Sequence, residues 1–278
     1  EFYNRVLQDG GRNNSMRIDN DRVSPNRRAV TNNQMTDANG FSVVASGLTM
    51  TFSPRRGDSV TVLDHVGFEA RPGRMTAIVG PSGSGKSTLL YCLSGLEQAT
   101  SGAVSLLGRE ITHMGVSALT RFRRGHLGFV FQSYNLITSM TVEENLALPF
   151  TLRGKRLPRQ RSDELLRYFG LEGQKKKSVT LLSGGEQQRV ALARVLLSDV
   201  DIIFADEPAG ALDQESGAKV MQVLKSLAVD SGKTVVVVTH SDEVAGQCDR
   251  IVEVRDGHVL NADVDAPAPR WRAHARTA

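Results

Sequence analysis

With 278 residues, 40% of them hydrophobic, the chain has room for one large α/β domain or two small ones and enough apolar content for a real core. Lys and Arg number 34 against 30 Asp and Glu, and the net charge of +4 is spread over short groups, "RFRR" at 121, "RGKRLPRQR" at 153 and "KKK" at 175. A dedicated nucleic-acid binder gathers basic charge on one face, so these groups read as solvated surface and no nucleic-acid partner is expected.

Residues 1–40 are rich in Asn, Arg, Asp and Ser and poor in large apolar residues, which predicts a disordered leader. The chain opens on Glu1, so this end reads as a fragment, a processed product or an upstream extension, with Met35 as an alternative start. From 41 to 70, "FSVVASGLTMTF", "SVTVLDHV" and "VGFEA" are short strand-like runs around "PRRGD", an antiparallel β region. The pattern then changes. "MTAIVG" leads through a glycine loop into the helix "KSTLLYCLSGL", and "HLGFVF", "VDIIFAD", "TVVVVTH" and "RIVEV" read as buried strands alternating with helices. That is a doubly wound, mainly parallel α/β core. Residues 135 to about 182, with "TVEENLALPFTL" and "RSDELLRYFG", form a mostly helical insertion, and "DAPAPRWRAHARTA" from 265 reads as a loose basic tail. The domain spans 41–262 and the tail 263–278.

Cys92 and Cys248 lie far apart and lack companions at metal spacing, which fits a reducing compartment and neither a disulfide framework nor a zinc site. No run approaches the ~18 to 20 apolar residues needed to cross a bilayer, so any membrane role is expected to come through a partner.

"GPSGSGKS" at 80–87 matches G-x-x-x-x-G-K-[ST] between an apolar strand and a helix, the setting a phosphate loop requires. A flexible turn is the bland alternative. In the functional reading the loop Gly80, Pro81, Ser82, Gly83, Ser84 and Gly85 with the following Lys86, Ser87 and Thr88 binds the nucleotide, and the backbone N–H groups from Gly83 to Thr88 cradle its phosphates. Lys86 reaches the β and γ groups, and the Ser87 hydroxyl ligates Mg²⁺. "DIIFADEP" places two carboxylates at a strand end: Asp206 suits the magnesium shell, and Glu207 suits the orientation of an attacking water, unless one merely caps the next helix. His240 after "TVVVVT" and Gln132 after "FVF" end neighbouring strands. His240 can donate to the γ-phosphate, and Gln132 offers an amide to magnesium or the water; alone, each is ordinary. "LLSGGEQQ" at 181–188 puts Ser183, Gly184 and Gly185 at the start of the amphipathic helix "RVALARVLL", a second anion cup. One nucleotide should not need two.

"GPSGSGKST", "VFQS", "LSGGEQQR", "DIIFADEP" and "VTH", in this order and at these distances from about 43 to 260, resemble the ATP-binding-cassette ATPases. "VFQSYNL", "VEENLALPF" and "LSGGEQQRVALAR" look most like the subgroup serving lipoprotein release, macrolide and antimicrobial-peptide export and bacterial cell division. The resemblance implies two cassettes packed head to tail, in which Ser183, Gly184 and Gly185 bind the γ-phosphate of the other chain's ATP and Asp213 of "GALD" passes information across the interface. It also implies that Phe52 stacks on adenine, against the alternative of a strand residue packed in the β region. Where the subgroup shows Thr-Gly-Asn before Leu-Asp, this chain has Ala209, Gly210 and Ala211, which removes two polar side chains.

The implied function is the ATP-hydrolysing subunit of a membrane transporter, powering export or extraction of a peptide, lipoprotein or drug-like substrate. Separate transmembrane permease subunits would dock near Gln132 and "SYNLITSMTVEENL" and hold the cassette on the cytoplasmic face of the membrane. The competing expectation is a coupler that moves no cargo and transmits force through a membrane partner. A soluble nucleic-acid cassette usually brings two cassettes, coiled-coil arms or zinc modules, and a binding module that never hydrolyses would retain ATP with magnesium present.

Overall fold

The computed structural model describes residues 36–53, 58–210 and 212–261. The expected tail, and residues 1–35 of the expected leader, lie outside them. Residues 36–40, assigned to the leader from composition, instead form a turn: the Asp37 carboxylate accepts from the Asn39 and Phe41 amides at 3.0 and 2.7 Å, and the Arg71 guanidinium covers the Phe41 ring at 4.2 Å.

β1 (Val43–Phe52) and β2 (Val60–Ala70) pair antiparallel, and β1 pairs on its other side with β4 (Ser101–Leu106), which carries the two-residue β5 (Arg109–Glu110). The two runs expected as separate strands between 59 and 70 are one strand. It bulges where His65 takes φ 50°, and the register against β1 shifts from Leu48↔Val66 to Met50↔Leu63. β4 and β5 are too short or too polar to announce themselves by periodicity.

The second sheet has the order β10-β9-β3-β8-β7-β6. Its strands are β3 (Met75–Val79), β6 (Leu127–Phe131), β7 (Ile202–Asp206), β8 (Thr234–Val238), β9 (Arg250–Arg255) and β10 (His258–Asn261). All neighbours are parallel except β9 and β10. Every residue of β3, β7 and β8 is buried, because a parallel sheet is covered on both faces.

Alternation divides those side chains between two cores. Ala77, Ile203, Ala205, Val235 and Val237 face the cluster built with α3 (Val142–Thr151), α4 (Arg159–Tyr168), α5 (Gly184–Ser198) and α6 (Gln214–Val229). Ile78, Ile202, Phe204, Val236 and Val238 face the cluster shared by α1 (Lys86–Leu93), α2 (Val116–His126) and the antiparallel sheet. α1 thus lies between the two sheets. It ends at Leu93, short of the expected Leu96, because Gly95 turns left-handed at φ 66°.

The helical stretch after 135 packs into the first cluster through Val142, Leu146, Leu165, Leu166, Leu171 and Val179, so it shares the core of the parallel sheet. Asn145, fully buried, pins its entrance: Oδ1 accepts from the Ile137 amide at 2.8 Å while Nδ2 donates to the Ile137 and Thr141 carbonyls. A short helix α7 (Asp242–Ala245) links β8 to β9. Among the described residues no helix is long and apolar enough to cross a membrane.

Candidate functional site

The sheet order makes β3, β8, β7 and β6 neighbours, and each ends at the same edge in a motif flagged from sequence. The 80–85 loop follows β3, His240 follows β8, Asp206 and Glu207 end β7, and Gln132 follows β6. Open α/β sheets bind ligands at the carboxyl ends of their strands for this reason.

The loop is shaped for an anion. Gly85, the residue before α1, sits at φ 100°, and a Cβ there would lie 2.8 Å from the Val62 carbonyl oxygen. Only glycine brings the chain into the helix along this path. At Gly83, φ 79°, an added Cβ would meet nothing within 4 Å, so the concave side is open. α1 has no side-chain cap and no acidic residue in its first turn, leaving the amides from Gly85 to Thr88 without intrahelical acceptors. A cavity of about 340 Å³ stands over them, lined by Ser82, Gly83, Gly85, Lys86, Ser87 and Thr88 and closed by Val62, Glu207, Val238 and His240. The Ser84 hydroxyl is buried in the loop with no hydrogen-bond partner.

Lys86 arches back to donate to the Pro81 carbonyl at 2.7 Å. Burial pulls its ammonium below the ordinary lysine range, opposed by the negative charges of Glu207 and Asp206. Ser87 donates to Asp206 Oδ1 at 3.1 Å, and Tyr91, one helical turn on, donates to Asp206 Oδ2 at 2.8 Å. Burial and that bond push the Tyr91 phenol up to about 12, so it stays a donor at neutral pH. Glu207 adopts φ 47°, unusual for a residue with a side chain, where its amide donates to the Val238 carbonyl at 2.9 Å. Its Oε1 meets His240 Nδ1 at 2.7 Å and its Oε2 accepts from the Thr239 hydroxyl at 3.3 Å. A conformation of this kind costs about 1 to 3 kcal/mol and holds the carboxylate at the cavity wall.

Open amides and a lysine on the cavity wall fit a polyphosphate. The hard oxygens of Ser87 and Asp206 fit Mg²⁺, which prefers such donors and keeps part of its water shell.

Other flagged residues stand apart. Gln132 is exposed, with its Nε2 3.5 Å from where a Gly210 Cβ would sit, beside Glu207 but outside the cavity lining. Phe52, 41% exposed at the end of β1 and paired with Val60, also lies outside that lining. Asp213 precedes α6 and accepts from the Ser216 amide at 2.9 Å, a bond that lowers its pKa.

Ser183, Gly184 and Gly185 do not line the phosphate cavity. Ser183 caps α5, accepting from the Glu186 amide at 3.3 Å and donating to Glu186 Oε2 at 2.9 Å, while Glu186 Oε2 accepts from the Ser183 amide at 2.8 Å. These bonds hold the Glu186 carboxyl below the usual carboxylate range. The signal for the reciprocal cap is the spacing Ser-x-x-Glu, legible at 183–186. Three partners carry no such signal: Tyr91, Thr239, and Gln188, whose Nε2 reaches from α5 to the Pro208 carbonyl beside Glu207 at 2.7 Å.

Residues 63–210 match the family model described as ABC transporter. The macrolide export ATP-binding/permease protein MacB of Shigella sonnei is 43% identical over 209 residues, covering 74% of this chain and 32% of that protein. The corresponding protein of Photorhabdus laumondii is 43% identical over 75% of this chain and 32% of its own length. The chain therefore spans about a third of these relatives. Among solved structures, the ATP-binding cassette MJ0796, a dimer in a post-hydrolysis state bound to ADP and Pi, superposes with a TM-score of 0.75. It is 38% identical, over 81% of this chain and 99% of its own. CbiO1 of Clostridium perfringens, part of the transporter complex cbiONQ, gives 0.68 at 27% identity over 80% and 88%. The match to the family model over more than half the chain and the likeness to these cassettes lead to one conclusion: this chain is an ATP-binding cassette and belongs to the ABC transporter family.

Proposed function

We propose that two copies of this chain pair head to tail around two molecules of ATP, hydrolyse them, and so drive export or extraction of a substrate through separate transmembrane subunits. The observation that carries the reading is the division of labour within one chain. The phosphate cavity holds Lys86, Ser87, Glu207 and His240, while the glycine-rich turn at Ser183 is absent from its lining and faces solvent. A second chain would bring that turn to the cavity.

In this reading the amides of Gly83 to Thr88 and the Lys86 ammonium hold the β- and γ-phosphates. Ser87 and Asp206 would hold Mg²⁺, which supplies charge neutralisation on the phosphate oxygens. Glu207 accepts the hydrogen bond of the attacking water and fixes its line of approach. His240 orients Glu207 through the 2.7 Å bond and donates toward the γ-phosphate. Gln132, just after β6, would offer its amide to Mg²⁺ or to the attacking water. Phe52 contributes a ring face for adenine, and Asp213 reports across the pairing surface. Closure on two nucleotides does the mechanical work through its differential affinity, and loss of the γ-phosphate contacts resets it.

The membrane partner is assigned to a groove of about 410 Å³ between α2, β6, α3 and α5, floored by Phe129, Leu148 and Pro149. It adjoins the loop after Gln132, where docking is expected. The macrolide-export names of the relatives support an exporter, with the cassette held at the cytoplasmic face of the membrane through its permease.

The test is Glu207→Gln in the full chain. Turnover is expected to fall by about 10² to 10⁴-fold while ATP traps a stable dimer on size-exclusion chromatography, since the charge is lost and the phosphate contacts remain. The wild-type rate per chain should also fall on dilution below the pairing concentration. Full-rate hydrolysis by an unpaired copy overturns the reading.

A further inference from the structure

Ser87 and Tyr91 stand four residues apart on α1, so their side chains rise from the same face of the helix. Both reach Asp206, and they take different oxygens: Ser87 takes Oδ1 at 3.1 Å and Tyr91 takes Oδ2 at 2.8 Å. Asp206 is 9% exposed at the end of β7, and these are the two side chains that satisfy its carboxylate among the described residues. A carboxylate gripped by one hydroxyl can still rotate about its Cβ–Cγ bond; one gripped at both oxygens cannot. Tyr91 is itself half-buried and packs against the apolar cluster between α1 and the two sheets.

We propose that Tyr91 is a positioning residue for the divalent cation: by holding Oδ2 it locks Asp206 with Oδ1 turned to Ser87, the edge at which Mg²⁺ would be held. The proposal rests on the magnesium reading above. It goes beyond the phosphate-loop motif, whose pattern ends at Ser87 and assigns nothing to position 91. Neither Tyr91 nor Asp206 lines the phosphate cavity; the phenol's side-chain link to it runs through Asp206 to Ser87, which does. Outer partners that orient a ligand commonly change metal affinity by about 10 to 100-fold when removed. Loss of the phenol oxygen also leaves Oδ2 buried and unpaired, which favours a rotated carboxylate.

The experiment is Tyr91→Phe in the full chain carrying Glu207→Gln, so that nothing turns over. The readout is the Mg²⁺ concentration at half-maximal binding of a fluorescent ATP analogue, alongside the affinity for that analogue in EDTA. The midpoint is expected to rise by about tenfold or more, with the EDTA affinity unchanged. With Asp206→Asn added, the tyrosine substitution should shift the midpoint no further. A lowered melting temperature with an unmoved Mg²⁺ midpoint is a packing role and overturns the proposal. If Asp206→Asn moves the midpoint and Tyr91→Phe does not, Tyr91 alone falls. If neither moves it, the magnesium assignment falls with it.

Discussion

The starts of α1 and α5 are both glycine-rich turns at a helix N-terminus, yet they are finished in opposite ways. α1 is entered through left-handed Gly85 with no side-chain cap and no acid in its first turn. α5 is entered through Ser183 in extended conformation, closed by a reciprocal cap with Glu186. The first leaves its amides and the positive end of the helix dipole open to an anion. The second has placed its own carboxylate on that end and engaged its serine hydroxyl. The difference is one of readiness. In the proposed reading α1 holds phosphate by itself, whereas α5 would accept an anion only where the incoming charge competes with Glu186 for Ser183. That suits a turn that acts when a partner delivers the phosphate and stays quiet otherwise.

The strongest way to break the comparison is to give α1 the acid that α5 has. Gly83→Asp is suited to this, because its Cβ would meet nothing within 4 Å and aspartate tolerates the left-handed region better than most residues. The chain should keep its fold, with stability in a circular-dichroism melt lowered by about 1 to 2 kcal/mol, the cost of a left-handed side chain, while nucleotide affinity measured by calorimetry falls by about a hundredfold or more, since like charges brought together cost several kcal/mol. Retained affinity would mean that phosphate does not enter over this loop. A smaller effect is expected at the other turn. Ser183→Phe should leave nucleotide binding by the monomer intact and weaken ATP-driven pairing by about tenfold or more in sedimentation, because Ser183 lies outside the cavity. Collapse of monomer affinity would show that both turns serve one site.

How far these regions could be read from sequence differs for a physical reason. The strands β3, β7 and β8 announce themselves because burial on both faces demands unbroken apolar runs, and the glycine loop because Gly85, at positive φ with the Val62 carbonyl too close for a Cβ, demands glycine. The positions of Asp206, Glu207, His240 and Gln132 at one sheet edge follow from the strand ends. What escaped depends on contacts between distant residues. No local pattern tells that Tyr91 meets Asp206, or that Gln188 bonds the Pro208 carbonyl. The left-handed Glu207 is set by its amide reaching Val238 on the next strand. The groove beside α3 exists only once four elements pack.

The finest test separates the two jobs of Glu186. Its carboxyl is held low in the folded chain by the Ser183 amide and hydroxyl, so its contribution to stability is present above the unfolded-state value of about 4.3 and is lost as pH falls through the lower folded value. Glu186→Ala should therefore lower stability by about 1 kcal/mol at neutral pH, read as a shift in urea midpoint, and the two proteins should converge as pH falls below the lowered folded value. The same change removes the negative charge at the α5 terminus and frees the Ser183 hydroxyl, so ATP-driven pairing should tighten while the fold loosens. A helix whose acid served stability alone would show the first effect without the second. One whose acid instead contacted the partner would lose pairing along with stability. Opposite signs at one residue are the mark of a turn kept closed until a phosphate arrives.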